Sequence, residues 1–429
     1  MTLPRSHPQR RELNDEVHAR PPEPMQAPLR LSHLALFTGW PLRDEDLRPV
    51  ALLAERFGVA PPAAGSNHFS RDLGPFRIKW ERHTEFARYT FIAPGAAEED
   101  PFGRPVVDLV PADWLQALPG EVIYAAHAVL LAAEDGRLDR DPSPDGLFAG
   151  NELVGSEVAA GGGVALTDFR VHGDGFNRLL LRNHRMSKAQ AGRQMQRLLE
   201  IDIYRIMAMM ALPVARELTP FLSQADQELA QITGEMQQAA SERSDAQLLQ
   251  RLTRLEAAIE SRHAETHARF SAAKAYYDIV CRRTAELREQ RIRGLQTFGE
   301  FVDRRLAPAM STCTAVAQRQ EALSKRVARA SQLLAARVAV AREDQTRLLL
   351  QSMNNRARLQ LRLQETVEGL SVAAITYYIV GLVAYAIKGL VGKSWGLSPE
   401  LLVAASIPPV LAGVIFGLRR VRRLVAQRK

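Results

Sequence analysis

Cysteine is nearly absent from this chain, with only Cys281 and Cys313 among 429 residues. That scarcity excludes a disulfide framework and a thiolate metal centre, and it fits a reducing compartment. The opening residues Met-Thr-Leu-Pro-Arg-Ser-His-Pro contain no apolar stretch, so no cleavable signal peptide is expected. No Gly-x-Ser-x-Gly is present, which removes the usual nucleophile elbow. The run Gly161-Gly162-Gly163 lacks the lysine and hydroxyl of a phosphate loop and reads as a turn. Long apolar runs are missing from the whole chain before residue 370, and mean hydropathy is −0.17, so the bulk is not a polytopic transporter body.

What the chain does contain is concentrated at its end. Leu370–Ile387 and Leu401–Leu418 each run 18 residues without a charge. At about 1.5 Å per residue each helix covers about 27 Å, close to the ~30 Å hydrocarbon core of a bilayer. Net charge is +8, and much of the excess flanks these runs. Arg347, Arg356, Arg358 and Arg362 precede the first; Arg419, Arg420, Arg422 and Arg423 follow the second. The connector holds only Lys388 and Lys393. The distribution of cations predicts both termini in the cytoplasm and a short outer connector. The partner implied is a bilayer with anionic headgroups, contacted by the terminal arginines, and nucleic acid is not expected.

The remaining pattern divides into blocks. Residues 1–29 form an arm rich in Pro, Arg and Glu, without regular structure of its own. Residues 30–185 read as an α+β cytoplasmic domain with a largely antiparallel sheet. Its expected strands are Leu31–Phe37, Phe76–Trp80, Ala87–Ile92, Val122–Ala132, Leu153–Ala159, Val164–Val171 and Asn177–Leu181. Expected helices are Asp44–Phe57 and Ala112–Leu118. Residues 186–308 are helical, with Ser187 as an N-cap and breaks expected at Pro213, Pro220 and Pro308. Residues 309–369 form a long stalk helix, followed by spans 370–387 and 401–418 and a basic tail, 419–429. Apolar residues recur along the stalk at a spacing of three and four, from Leu323, Val327, Ala330 and Leu334 to Leu359, Leu363 and Val367. Gln345, Ser352 and Asn355 interrupt this seam. It suits either an intramolecular bundle or a stalk packed on copies of itself.

Three segments carry a resemblance. They are Leu13-Asn-Asp-Glu-Val-His-Ala-Arg-Pro21, Leu199 to Leu218, and Val367 to Tyr378. Together they are similar to an uncharacterised bacterial family of membrane-anchored proteins, domain of unknown function 3422. The resemblance spans nearly the whole chain, implies the bacterial inner membrane, and brings no established activity. In the first segment Asn14, Asp15, Glu16, His18 and Arg20 crowd together. Carboxylates beside an imidazole suit metal binding or proton transfer; the plainer reading is a charged arm docked on the domain by ion pairs. His263 and His267 share a helix face at i, i+4 and suit a divalent ion, against the plainer reading of two solvated imidazoles. No catalytic set and no cofactor are expected.

The order of domain, stalk and paired spans also looks like that of CorA-type magnesium channels, which implies a homo-oligomer with a pore along the first span. Thr376, Tyr377, Tyr385 and Lys388 are then the pore and mouth candidates. The family's Gly-Met-Asn is absent, since the chain reads Tyr385-Ala386-Ile387-Lys388. A ring of lysines at the mouth repels divalent cations. The alternative is a non-transporting scaffold that recruits partners through its arm and stalk.

Overall fold

A computed structural model describes residues 5–18, 21–39, 47–95, 100–132, 146–238, 242–390 and 399–426. Two compact units emerge: Met1–Gln238 with Gln250–Ser331, and Ala239–Leu249 with Gln332–Lys429. The first is a mixed α+β body continuing into long helices.

In chain order the body opens with helix α1 (Arg10–His18) and strand β1 (Leu29–Phe37), then α2 (Leu47–Arg56). Strands β2 (His68–Asp72), β3 (Arg77–Arg82) and β4 (Phe86–Pro94) follow. After a 3₁₀ turn at Val106–Leu109 come α3 (Ala112–Gln116), β5 (Glu121–Ala132), β6 (Val154–Val158), β7 (Gly163–Thr167) and β8 (Asn177–Asn183). Helices α4 (Lys188–Met209), α5 (Ala211–Gln238) and α6 (Glu242–Glu286) lead to a short β9 (Gln290–Arg291) and α7 (Phe298–Phe301). Helix α8 (Ala307–Leu390) and α9 (Pro399–Ala426) complete the described chain.

Among the described residues the strands form one sheet in the order β2-β3-β4-β1-β5-β8-β7-β6-β9. Only β5 and β8 pair parallel; the other ladders are antiparallel. All seven expected strands are present within a few residues. The turn between β6 and β7 passes through Ala159, Ala160 and Gly161, all at positive φ.

Strand alternation separates the two faces of the sheet. Leu34, Leu36, Ile78, Trp80, Tyr89 and Phe91 point to one side and pack with α2, the 3₁₀ turn and Trp114 of α3. A second apolar cluster, with Phe102, Phe148, Leu166 and Leu180, lies under the β5–β8 half. The opposite residues of β1, β3 and β4 include His33, Lys79, Glu81, Arg88 and Thr90, all buried, and α4 brings Glu200 to Arg88.

Several expectations are corrected. The arm is not wholly irregular, since Arg10–His18 is helical and Met25 is buried. The sequence Arg-Arg-Glu-Leu-Asn-Asp-Glu-Val-His has too few apolar residues to announce that helix. The break expected at Pro213 lies just ahead of it, where α4 ends at Met209 and α5 begins at Ala211, but Pro220 does not break the chain, because α5 runs through it. Pro213 falls in the first turn, where its missing N–H has no intrahelical partner to lose. At Pro220 the Thr219 hydroxyl donates to the Ala215 carbonyl at 2.7 Å, which keeps one carbonyl of that turn occupied. Pro308 is not a break either. A π-helical turn, Val302–Leu306, links α7 to α8 and widens the backbone where the proline ring would meet the preceding carbonyls. The basic tail is helical as far as Ala426. Ser187 is the expected N-cap of α4, with a reciprocal capping box to Gln190.

Two helices, over Phe298–Gly389 and Glu400–Val421, are long and apolar enough to cross a membrane. Their most apolar windows are 6% and 0% buried.

Candidate functional site

The face of the sheet beneath α4 carries a row of charges at strand register. Lys79 stands opposite Thr90, Glu81 opposite Arg88, and His33 opposite Thr90 from the other side. These side chains are almost wholly buried, Glu81 at 1% and His33 at 2% exposure. Burial of charge is costly unless each group is paired, and here each is. Arg88 Nε donates to Glu81 Oε2 at 2.5 Å, and its Nη1 lies 3.5 Å from Glu200 Oε1 on α4. Glu200 then accepts from Arg283 of α6 at 2.6 Å, and Glu286 joins Arg283 and Arg197 at 2.9 and 3.0 Å. One chain of alternating charge thus ties sheet, α4 and α6 together.

The electrostatics follow from this packing. Burial alone would raise the Glu81 carboxyl, but the adjacent Arg88 guanidinium holds it down at about 2. Burial, then Arg88, pushes His33 down to about 3, so its imidazole is neutral at cellular pH. Its Nδ1 lies 2.7 Å from the Thr90 hydroxyl. Burial lowers Lys79 as well, against the pull of Glu81.

The arm crosses this row as a strap. The Lys79 ammonium donates to the Pro21 carbonyl at 3.0 Å, and Ser70 donates to Glu23 at 2.5 Å. Met25 N–H donates to the Lys188 carbonyl at 2.9 Å. Beneath the strap lies a cavity of about 30 Å³ lined by His33, Lys79, Glu81, Thr90 and Gln196. Among the described residues His33 Nε2 and Gln196 Oε1 have no hydrogen-bond partner. The space and its polar lining suit one or two water molecules. Two open grooves of about 430 and 350 Å³ flank the strap, and Glu23 lines all three spaces.

Gly192 explains how the strap fits. A Cβ at this position of α4 would stand 1.8 Å from the Glu23 carbonyl oxygen. Gly192→Ala is therefore expected to lift the strap and cost about 1–3 kcal/mol by overpacking. Limited trypsin digestion should release the arm several-fold faster than in the parent; an unchanged rate would contradict this reading.

A hydroxyl, an imidazole and a carboxylate also converge on the other face. Ser32 Oγ lies 3.0 Å from His127 Nδ1, and His127 Nε2 lies 4.0 Å from Asp174. The order resembles a nucleophilic triad, but the geometry supports packing instead. Ser32 is fully buried and already accepts from Val107 N–H at 3.0 Å. The His127 ring stacks on Phe176 at 3.9 Å, and 4.0 Å is too long for the imidazole–carboxylate bond.

The residues singled out by the sequence fare unevenly. The Asn14 amide donates to its neighbour Asp15 at 3.4 Å. The side chains of Glu16, His18, Arg422 and Arg423, and the whole of Arg20 and Lys393, lie outside what the structure describes. The rings of His263 and His267 are 5.0 Å apart. Among the described residues no group of three such side chains is arranged to hold a metal ion. Thr376 turns its hydroxyl back onto the Val372 carbonyl at 2.7 Å, whereas Tyr377 and Tyr385 stand exposed on their helix. Lys388 is exposed near the end of α8, and Arg419 and Arg420 are exposed on α9. The charged row on β3 and β4 was missed. Its only sequence signal is the alternation Arg77, Lys79, Glu81 between apolar residues, which ordinarily marks a solvated face.

A family model described as "Protein of unknown function (DUF3422)" matches residues 5–425. The chain belongs to this family. Membership in DUF3422 agrees with the likeness carried by Leu13–Pro21, whose last residue is the one that caps Lys79. No curated protein and no solved structure matches the chain. These comparisons lend no support to the likeness to magnesium channels.

Proposed function

We propose that this DUF3422 protein is a membrane-anchored scaffold. The end of α8 together with α9 crosses the bacterial inner membrane, and the α+β body recruits partners on the cytoplasmic side. One observation carries the reading: the apolar windows of two helices long enough to span a bilayer are almost bare. Exposed apolar surface on that scale is unstable in water and at home in lipid. Arg419 and Arg420, just past the second run, suit anionic headgroups and a cytoplasmic C-terminus. The groove beside the strap, between arm and sheet edge, is the natural docking place on the body.

The full chain is expected to pellet with membranes and to resist alkaline carbonate, while deletion of residues 370–429 releases it. Recovery of the intact chain in the supernatant without detergent would overturn the anchor.

A second reading, a conducting ring of copies, is favoured by the tyrosines. Tyr377 and Tyr385 are 77% and 80% exposed, and hydroxyls in hydrocarbon seek partners on another helix. Ion flux in liposomes that changes with Lys388→Asn would support it, and no flux for Mg²⁺, K⁺ or Cl⁻ would remove it.

A further inference from the structure

Among the described residues, the membrane-proximal part of the stalk in α8 carries an apolar stripe left uncovered. Leu323, Val327, Ala330 and Leu334 are buried, the first three inside the first unit and Leu334 in the second. In the second unit Leu248 is also buried, and Arg337 pairs with Asp245 at 2.9 Å. Beyond Arg337 the cover ends, but the stripe does not. At about 100° per residue, Val338, Ala341, Leu348, Leu359, Leu363 and Val367 keep the angular position of Leu334 to within a quarter turn. Leu348, Leu359, Leu363 and Val367 are each 60 to 66% exposed. Glu343, Arg347, Arg358 and Glu365 fall on the opposite side of the same cylinder. Arg356 interrupts the stripe, and Val340, Leu350 and Leu361 lie apolar on the far side, but a mostly apolar stripe exposed over this length is an interaction surface awaiting its complement.

We infer that residues 338–367 pair with the same residues of a second copy of this chain, parallel and in register. The inference rests on the anchor proposed above. Copies held in one bilayer by the same spans enter it in the same direction and at the same depth, so their stalks rise side by side with equal residues level. The polar interruptions then have a use. Gln345 and Ser352 lie in the centre of the stripe and Asn355 at its edge. A polar residue in such a seam is tolerated where it meets its own counterpart, and it penalises every shifted register. A foreign apolar partner would leave them unpaired. The seam thus passes from an intramolecular partner above Arg337 to an intermolecular one below it, with no change of helical face.

The test is a cysteine scan in membranes. In full-length protein with Cys281→Ser and the buried Cys313 retained, single cysteines are placed at each position from 343 to 363, and mild oxidation is followed by non-reducing gels. Membrane pelleting and far-UV circular dichroism are recorded for each variant, so loss of the anchor or of the fold is seen separately from loss of pairing. Crosslinked dimer is expected to peak with a 3.5-residue period at Gln345, Leu348, Ser352 and Leu359, several-fold above Arg347, Asn354 and Arg358. A pelleted, helical protein that gives no crosslinks, a flat profile, or peaks on the charged face would overturn the inference. As an independent check, Leu348→Gln with Leu359→Gln and Leu363→Gln should lower the mass measured in mild detergent toward the monomer; an unchanged mass would also count against it.

Discussion

Arg88→Met is expected to destabilise the body by about 3–5 kcal/mol, the usual cost of stranding a buried charge. Removal of the guanidinium leaves Glu81, 1% exposed, without its closest cation and beside Lys79 at 3.4 Å, and takes one of the cations from Glu200. The paired replacement Arg88→Met with Glu81→Leu should recover much of the loss. Apolar groups of similar volume can replace a buried ion pair at little net cost, whereas half a pair cannot be left behind. An exposed control is available in Arg56, whose bond to Asp113 is solvent-facing. Arg56→Met should scarcely move the midpoint, because exposed pairs contribute little. Urea titration followed by circular dichroism in mild detergent measures all three. If Arg88→Met tracks the exposed control, the charge row does not hold the sheet to α4.

Stability should begin to fall near pH 6.5, well before carboxylates ordinarily protonate. Two buried imidazoles set this window. His33 is held at about 3 and His127 at about 4, in both cases mainly by burial, which Asp174 only partly offsets at His127. Between pH 6.5 and those values the unfolded chain binds a proton at each site and the folded chain does not. Acid therefore favours unfolding, by up to about 1.4 kcal/mol per pH unit for each imidazole. Glu81 adds a further loss at lower pH. Its folded value of about 2 lies below the ordinary 4.5, so its contribution is complete above 4.5 and disappears as pH falls toward 2. Thermal unfolding monitored by the fluorescence of buried Trp80 and Trp114 gives the profile. The double variant His33→Gln with His127→Gln should flatten it between pH 6.5 and 4.5. A parent profile already flat there would contradict the buried neutral state.

The sequence was most legible where one period dominates. The strands over 29–37, 86–94 and 121–132 announce themselves by sustained apolar content, and Ser187 with Gln190 marks the start of α4 by cap chemistry. Two strands escaped for the opposite reason. His68–Asp72 offers one apolar residue, Phe69, because an edge strand needs only one packed side, and Gln290–Arg291 is too short to have a period. The charge row was illegible because Lys79, Glu81 and Arg88 would look the same facing water. What buries them is α4, more than a hundred residues later, whose Glu200 and Asp202 sit unobtrusively among Leu198, Leu199 and Ile201. The stalk seam was visible as a repeat, but the point where its intramolecular cover stops depends on where Asp245 meets Arg337. Asp226 of α5 also binds Arg319 and Arg326 of α8 at 2.9 and 2.7 Å, so part of the charge along these helices pairs internally.

The pairing of β9 with β6 imposes an order on biosynthesis. Gln290 and Arg291 close the sheet only after the whole of α6 has left the ribosome. Glu289 then clamps the junction, accepting from Ser156 and from the first amides of α7. Until that moment the nascent chain presents β6 as a bare border, open to wrong strand addition. Shortened versions ending anywhere upstream of Gln290 inherit the same hazard permanently, so aggregation of such fragments would reflect a missing final staple and not an unstable core.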